Sequence, residues 1–175
     1  PADRGWRWRV FDYEGELAIV IGRGGRNIPQ AAAFEHIGGY ACFNDATMRD
    51  WQRHTHQWIP GKNFPGTGPM GPWLATRDEV SDLDALTLTT RVNGAVVQQA
   101  SLADLIYTVP VIIEYLSTFT TLSPGDIIAT GTPGGVGDRR EPPSYLATRD
   151  VVEVEITHLG TLRNTVRTPR NATSS

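Results

Sequence analysis

Two glutamates two residues apart, Glu14 and Glu16, stand directly before Leu17-Ala18-Ile19-Val20-Ile21, a run that is wholly apolar and mostly β-branched. The stretch from Asp12 to Ile21 reads as a strand buried on both faces. Side chains alternate along a strand, so Glu14 and Glu16 point the same way, with Cα atoms about 6.5–7 Å apart at roughly 3.3 Å rise per residue. Two carboxylate heads at that spacing converge on one cation, and at the mouth of a buried strand they are costly without one. A hard divalent cation with oxygen ligands relieves the repulsion. The competing reading is a pair of acids on the wet face of a strand. Glu153-Val154-Glu155 supplies that case in the same chain. There Val152, Val154 and Ile156 alternate with the acids, which puts the acids on the polar face of a half-buried strand. No such alternation follows Glu16.

Other residues with chemical capacity follow. A second short strand, Tyr40 to Phe43, delivers Asn44-Asp45. A helical turn or short helix starting near Asp45 would put Asp45, Arg49 and Gln52 on one face at i, i+4 and i+7. That face offers a metal ligand, a carboxylate clamp and an amide donor. The alternative is Asp45 as an N-cap with Arg49 and Gln52 exposed. Lys62 stands in a loop from Pro60 to Trp73 that is too rich in proline and glycine for a helix; it is either a solvent lysine or a functional one. The strand from Ile127 to Thr130 runs into Gly131-Thr132-Pro133-Gly134-Gly135-Val136-Gly137. Backbone N–H groups of such a loop suit an anion the size of a carboxylate, with Thr132 as a hydroxyl donor; equally, the glycines serve a turn. The loop lacks the Gly-Lys ending of a P-loop, and Gly22 to Asn27 lacks the third glycine of a dinucleotide fingerprint. His54 and His56 would need further ligands to hold zinc, and only His36 and His158 remain; they read as surface-loop residues.

The elements that must carry these residues are mostly short strands. A helix is expected from Pro29 to His36, stopped by Gly38-Gly39. Leu86 to Val92 alternates, and Asn93-Gly94 then turns the chain into Ala95-Val96-Val97, a hairpin with a type I′ turn. Ser101-Leu102-Ala103-Asp104 is a capping-box variant opening a helix whose apolar stripe runs from Leu102 to Leu116, with a kink or restart at Pro110. Ser123 to Asp126 is a turn, and Val151 to Ile156 and Thr161 to Val166 are the last strands. Pro1 to Val10 is basic and Trp-rich, an edge strand or, more weakly, a nucleic-acid arm. The polar tail from Thr168 is expected to fray, and the sequon at Asn171 is chance.

Bulk properties narrow the classes. The chain has 175 residues, enough for one domain with its own core, residues 1–11 and 168–175 being peripheral. A net charge of −3 gives no sign of a nucleic-acid or membrane partner. One cysteine excludes an internal disulfide, and no signal-peptide pattern opens the chain, so a cytoplasmic protein is expected. No apolar run approaches the roughly 20 residues of a membrane span.

Several blocks occur in a telling order: Tyr13-Glu14-Gly15-Glu16-Leu17, Gly39-Tyr40, Asn44-Asp45, Arg49-Asp50-Trp51-Gln52, Gly61-Lys62-Asn63-Phe64, Gly71-Pro72-Trp73, Pro124-Gly125-Asp126 through Gly137, and Gly160-Thr161-Leu162-Arg163-Asn164. Together they resemble the catalytic C-terminal domain of the fumarylacetoacetate hydrolase family, from about Asp12 to Val166. The resemblance implies an α+β fold, a mixed β-sheet roll or sandwich with few short helices, and a homodimer. It implies Mg²⁺ or Mn²⁺, with Ca²⁺ also possible, on Glu14, Glu16 and Asp45. It implies a small 2-oxo or 2,4-dioxo acid substrate facing Arg49, Gln52 and Lys62 as catalytic and binding residues, its carboxylate held by Thr132 beside Gly131. C–C bond hydrolysis through a metal-chelated enolate leads; isomerase, decarboxylase and hydratase or lyase reactions stay open. Two departures stand out. Many members carry a water-activating His and Glu before the Glu-x-Glu strand, and residues 1–13 contain neither. Either that segment is absent or it lies outside this sequence; His54, His56 and Glu35 are conceivable substitutes, and a non-catalytic paralogue is the alternative. Arg149-Asp150 also stands where a Gly-Asp turn is usual.

Overall fold

The hairpin signalled by Asn93-Gly94 is present in the computed structural model, which describes residues 10–167. Asn93 and Gly94 take φ of 52° and 83°, the two positive values a type I′ turn requires. They join β6 (Thr87–Val92) to β7 (Ala95–Ser101). β9 (Val151–Ile156) pairs with β6, and β10 (Gly160–Thr165) pairs with β9, giving a sheet ordered β10-β9-β6-β7. The second sheet is built on β2 (Gly15–Ile21) and β3 (Ile37–Asn44), with β5 (Met70–Thr76) and β8 (Ile127–Ala129) outside them in the order β5-β3-β2-β8. Every pairing in both sheets is antiparallel. The sheets meet across one core: Leu17, Ile19, Tyr40 and Cys42 come from one, Leu88, Val154, Ile156 and Leu162 from the other. This α+β sandwich with few short helices is the expected fold class.

Several elements differ from expectation, each for a local reason. The strand expected from Asp12 is broken. β1 (Phe11–Asp12) pairs with β4 (Thr47–Met48), and β2 starts only at Gly15. The break falls where the backbone N–H of Glu14 goes to the Asn44 side chain and that of Gly15 to the Gln98 side chain, instead of to ladder carbonyls. Residues 46–48 are not helical, and α1 is a single turn, Arg49–Gln52. The loop after Pro60 is shortened at both ends, by α2 (Ile59–Lys62) and by β5. Gln30–His36 winds as a 3-10 helix, and Gly38-Gly39 do not stop it but lie inside β3. The expected long helix divides: a 3-10 turn, Leu102–Asp104, with Ser101 Oγ accepting from the Ala103 N–H, is followed by a restart at α3 (Val109–Phe119), with Pro110 in its first turn. Ile106, in the gap, is 91% exposed and leaves the apolar stripe.

Glu153 and Glu155 do lie on the outer face of a half-buried strand, paired with Arg163 and Arg91. Among the described residues no helix is long and apolar enough to cross a membrane. The N-terminal basic stretch before Val10 and the tail from residue 168 lie outside the described residues, while Phe11 belongs to β1.

Candidate active site

Antiparallel register assembles the acids. β2 and β3 pair with Gly15 opposite Asn44, so one step beyond the ladder Glu14 meets Asp45, whose backbone N–H donates to the Glu14 carbonyl at 2.9 Å. β2 and β8 pair with Ala18 opposite Ala129. The same phase sets Gly131 opposite Glu16 and Thr132 opposite Gly15: the Gly131 N–H donates to Glu16 Oε2 at 2.8 Å, and Thr132 Oγ1 donates to the Gly15 carbonyl at 3.0 Å. Gly15, between the two glutamates, packs so closely against Thr90 on β6 that a Cβ there would collide with the Thr90 hydroxyl. The strand mouth is thus pinned between the sheets.

Carboxylate oxygens of Glu14, Glu16 and Asp45 come within 4.8 Å of one another. A cation bonded to oxygen at about 2.0–2.6 Å spans such a set. Glu14 and Glu16 are buried and Asp45 is half-buried. The chain's single lysine, Lys62, sits among them, Nζ 2.7 Å from Glu14 Oε2 and 2.5 Å from Asp45 Oδ2. Arg49 completes the polar cluster. Nη1 lies 2.5 Å from Glu14 Oε1, Nε donates to Asp12 Oδ2 at 2.9 Å, and Nη2 lies 2.9 Å from the same Asp12 oxygen without the geometry of a hydrogen bond. Burial lowers the guanidinium's pKa, but Glu14 and Asp12 more than offset it and hold the pKa above its usual value. Glu16 is pushed up to about 7, chiefly by burial; the Gly131 N–H opposes the rise, and Asp45 and Glu14 add to it. Four carboxylates (Asp12, Glu14, Glu16 and Asp45) face two cationic side chains (Arg49 and Lys62). The donor set and the charge deficit of two fit a hard divalent ion such as Mg²⁺, Mn²⁺ or Ca²⁺.

The structure brings every residue singled out above (Glu14, Glu16, Asp45, Arg49, Gln52, Lys62, Gly131 and Thr132) to the wall of one cavity of about 1020 Å³. Their partners refine what each offers. Asp45 reaches the site from the end of β3 rather than from a helix face. Gln52 Oε1 accepts from Arg49 Nη1 at 3.1 Å, which turns its two N–H donors elsewhere. The Gly131 N–H is engaged by Glu16 Oε2. Thr132 Oγ1 gives its one hydrogen to Gly15 and accepts from Gln98 Nε2 at 2.8 Å, so toward the cavity it has an acceptor lone pair left, and a substrate carboxylate would have to displace the Gly15 bond. His56 lines the same cavity, whereas Glu35 pairs with Arg23 on the exposed surface. His36 Nδ1 bonds the Arg23 carbonyl and His54 packs at a tilt against Trp51, so neither gathers toward a zinc site.

Two site-supporting residues escape sequence reasoning. Asp12 is fully buried and bonds Arg49 together with the Gly137 and Asp138 N–H groups. Its signal was a lone acid among Val10, Phe11 and Tyr13. Gln98 is 2% exposed; its Oε1 accepts from Gly15 N–H, and its Nε2 donates to Thr132 and to the Pro133 carbonyl. It hides behind a bulge. β6 and β7 slip register between Thr90 and Arg91, so Thr90 faces Gln98, not Val97 as an unbroken hairpin would have it.

A two-sheet sandwich holding an oxygen-only acidic cluster at a strand mouth is a scaffold for divalent-cation chemistry. The fumarylacetoacetate (FAA) hydrolase C-terminal model matches residues 3–167, and the chain belongs to that family. It is 44% identical over 156 residues to the oxaloacetate tautomerase YisK of Bacillus subtilis, covering 89% of this chain and 52% of that protein. A fumarylacetoacetate hydrolase from psychrophilic Exiguobacterium antarcticum superposes with a TM-score of 0.89 at 42% identity, over 92% of this chain and 58% of that one. Fumarylpyruvate hydrolase from Pseudomonas aeruginosa, solved with Mn²⁺ and pyruvate, superposes with a TM-score of 0.82 at 33% identity, over 95% and 68%. The chain spans about half the length of the curated relative it matches.

Proposed function

We propose that this chain is the catalytic domain of a divalent-metal enzyme acting on a small 2-oxo dicarboxylate through its enolate, with keto–enol proton transfer as its leading reaction. The observation that carries the reading is the convergence of Glu14, Glu16 and Asp45 around Lys62 Nζ in one cavity. Glu14, Glu16 and Asp45 would hold Mg²⁺ or Mn²⁺. The ion, when bound, supplies Lewis-acid polarisation of the 2-oxo group. The chain supplies the rest. Lys62 Nζ is a proton donor placed to stabilise oxygen charge as the enolate forms. The N–H donors of Gln52 are free of Arg49 and suit a substrate carboxylate. Arg49 stays on Asp12 and Glu14 and holds the metal carboxylate.

Proton transfer is favoured over C–C hydrolysis on two counts. It moves one proton off carbon and one onto oxygen, whereas hydrolysis also needs an activated water. The 44% identical relative is a tautomerase. Hydrolysis is the second reading, supported by the Pseudomonas neighbour and by His56 at the cavity wall. The homodimer of the resemblance is carried as part of the proposal, and sedimentation velocity reads it.

The test begins with calorimetric titration of Mg²⁺ and Mn²⁺ into metal-free protein, with and without oxalate as an enolate mimic. Binding tightened by oxalate is expected; no binding by either ion removes the reading. Ketonisation of enol oxaloacetate, followed in the ultraviolet, should be accelerated by the metal-loaded protein and reduced at least about 100-fold in Lys62→Met with metal binding retained. Cleavage of an acylpyruvate without tautomerase activity would hand the site to hydrolysis.

A further inference from the structure

We propose that Asp12 is a positioning residue that sets metal affinity by acting through Arg49 on Glu14; the inference rests on the metal reading above. Asp12 is 0% exposed and is absent from the cavity wall. Both of its oxygens are fully engaged. Oδ1 accepts from the N–H groups of Tyr13 at 2.9 Å and Gly137 at 2.8 Å. Oδ2 accepts from the Asp138 N–H and from Arg49 Nε, each at 2.9 Å. No oxygen is left for a cation, so Asp12 is not a fourth ligand.

What it controls is one guanidinium shared by two carboxylates. Arg49 is 5% exposed, with Asp12 on one edge and Glu14 Oε1 on the other. While Asp12 answers part of the buried positive charge, Glu14 keeps the capacity to face a cation. With Asp12 neutral, Glu14 becomes the only carboxylate ion-paired with the guanidinium among the described residues, Asp138 acting on it at longer range. A buried arginine then draws Glu14 into a tight pair, because an uncompensated buried charge is expensive. The metal competes with Arg49 for the same oxygens and loses. Asp12 also pins Gly137 and Asp138, the far end of the loop whose first N–H, on Gly131, holds Glu16. One buried acid in β1 therefore stands behind the supports of two metal carboxylates. Partners of this kind typically change metal affinity by about 10–100-fold.

The experiment is a double-mutant cycle read by calorimetric Mn²⁺ titration of wild type, Asp12→Asn, Arg49→Met and the double variant, with circular dichroism confirming the fold. Asp12→Asn is expected to weaken Mn²⁺ binding about 10–100-fold. In the Arg49→Met background the same change should alter affinity less than about twofold, since the route to Glu14 is gone and the amide oxygen of the asparagine still serves as acceptor for the Gly137 N–H that anchors the loop. Affinity unchanged in Asp12→Asn, or the same loss in both backgrounds, overturns the proposal. Should Asp12→Asn not fold, Asp12→Ser, which keeps an acceptor for the Gly137 N–H, is read against the same outcomes. Failure of the wild type to bind Mn²⁺ would remove the metal reading itself, a result distinct from loss of the Asp12 route.

Discussion

Glu16 shows at single-residue scale what the acidic cluster costs. It is 3% exposed, and burial, with repulsion from Asp45 and Glu14 adding to it, lifts its carboxyl to about 7 against the Gly131 N–H that lowers it. A folded value above the unfolded one means that the folded chain holds this proton more tightly. Stability is therefore present at low pH and is lost as pH rises from near 4.5 through about 7. The loss above that window is on the order of 3 kcal/mol. Glu16→Gln removes the titration and keeps the shape. Without metal, wild type and Glu16→Gln should melt together near pH 4, below the window, and the variant should melt several degrees higher at pH 8. Mg²⁺ should raise the wild-type melt at pH 8 and leave the variant unmoved. Equal melts at pH 8 would show that Glu16 ionises there without penalty. The two glutamates were legible because carboxylates before a β-branched run are expensive on sight. Asp12 and Gln98 were not, since their importance lies in partners 34 to 126 residues away in sequence.

At the scale of elements, the legible features were those decided within a few residues. Asn93-Gly94 dictates its turn, and Pro110 forces a helix restart because it has no N–H to give. The illegible ones depended on neighbours across the sheet. The ladder stops at Gly15 because side chains of Asn44 and Gln98 take the next N–H groups, which no pattern inside Asp12 to Ile21 reveals. The Arg149-Asp150 departure marks the turn entering β9. Arg149 takes φ of 80°, a left-handed conformation that is strained for a residue with a Cβ. Its surroundings hold it there: Arg149 N–H donates to the Val166 carbonyl, and Asp150 Oδ2 accepts from the Ala147 N–H. Arg149→Gly should release about 1 kcal/mol of strain, reduced by the flexibility glycine adds to the unfolded chain. Urea denaturation should show a higher midpoint with an unchanged slope, and Mn²⁺ affinity should stay at the wild-type value because the turn carries no cavity residue. A lower midpoint would mean that the Arg149 side chain makes contacts worth more than the strain.

The whole molecule couples the site to the core through two strands. Glu14 precedes β2 and Asp45 follows β3, so a cation on both closes the end of the central pair. Cys42, on β3 two residues inside from the end of its pairing with β2 at Asn44 and Gly15, faces the other sheet, with Sγ 3.4 Å from the Gly160 carbonyl of β10. It is the chain's one cysteine, 0% exposed, and burial pushes its thiol up to about 11. A thiol reagent therefore reaches it only when the sheets part. Where reclosing is fast, the labelling rate tracks the open population. If parting the sheets also dismantles the acidic cluster, a metal at 100 times its dissociation constant lowers that population by about 100-fold, or about 2.7 kcal/mol. Labelling at pH 8 should accordingly be slow without metal and about 100-fold slower with Mg²⁺ at that excess. Labelling indifferent to a metal that binds would mean that β10 lifts from β3 while Glu14, Glu16 and Asp45 stay together. The core would then open at its β10 edge independently of the site, and metal affinity would report on the strand mouth alone.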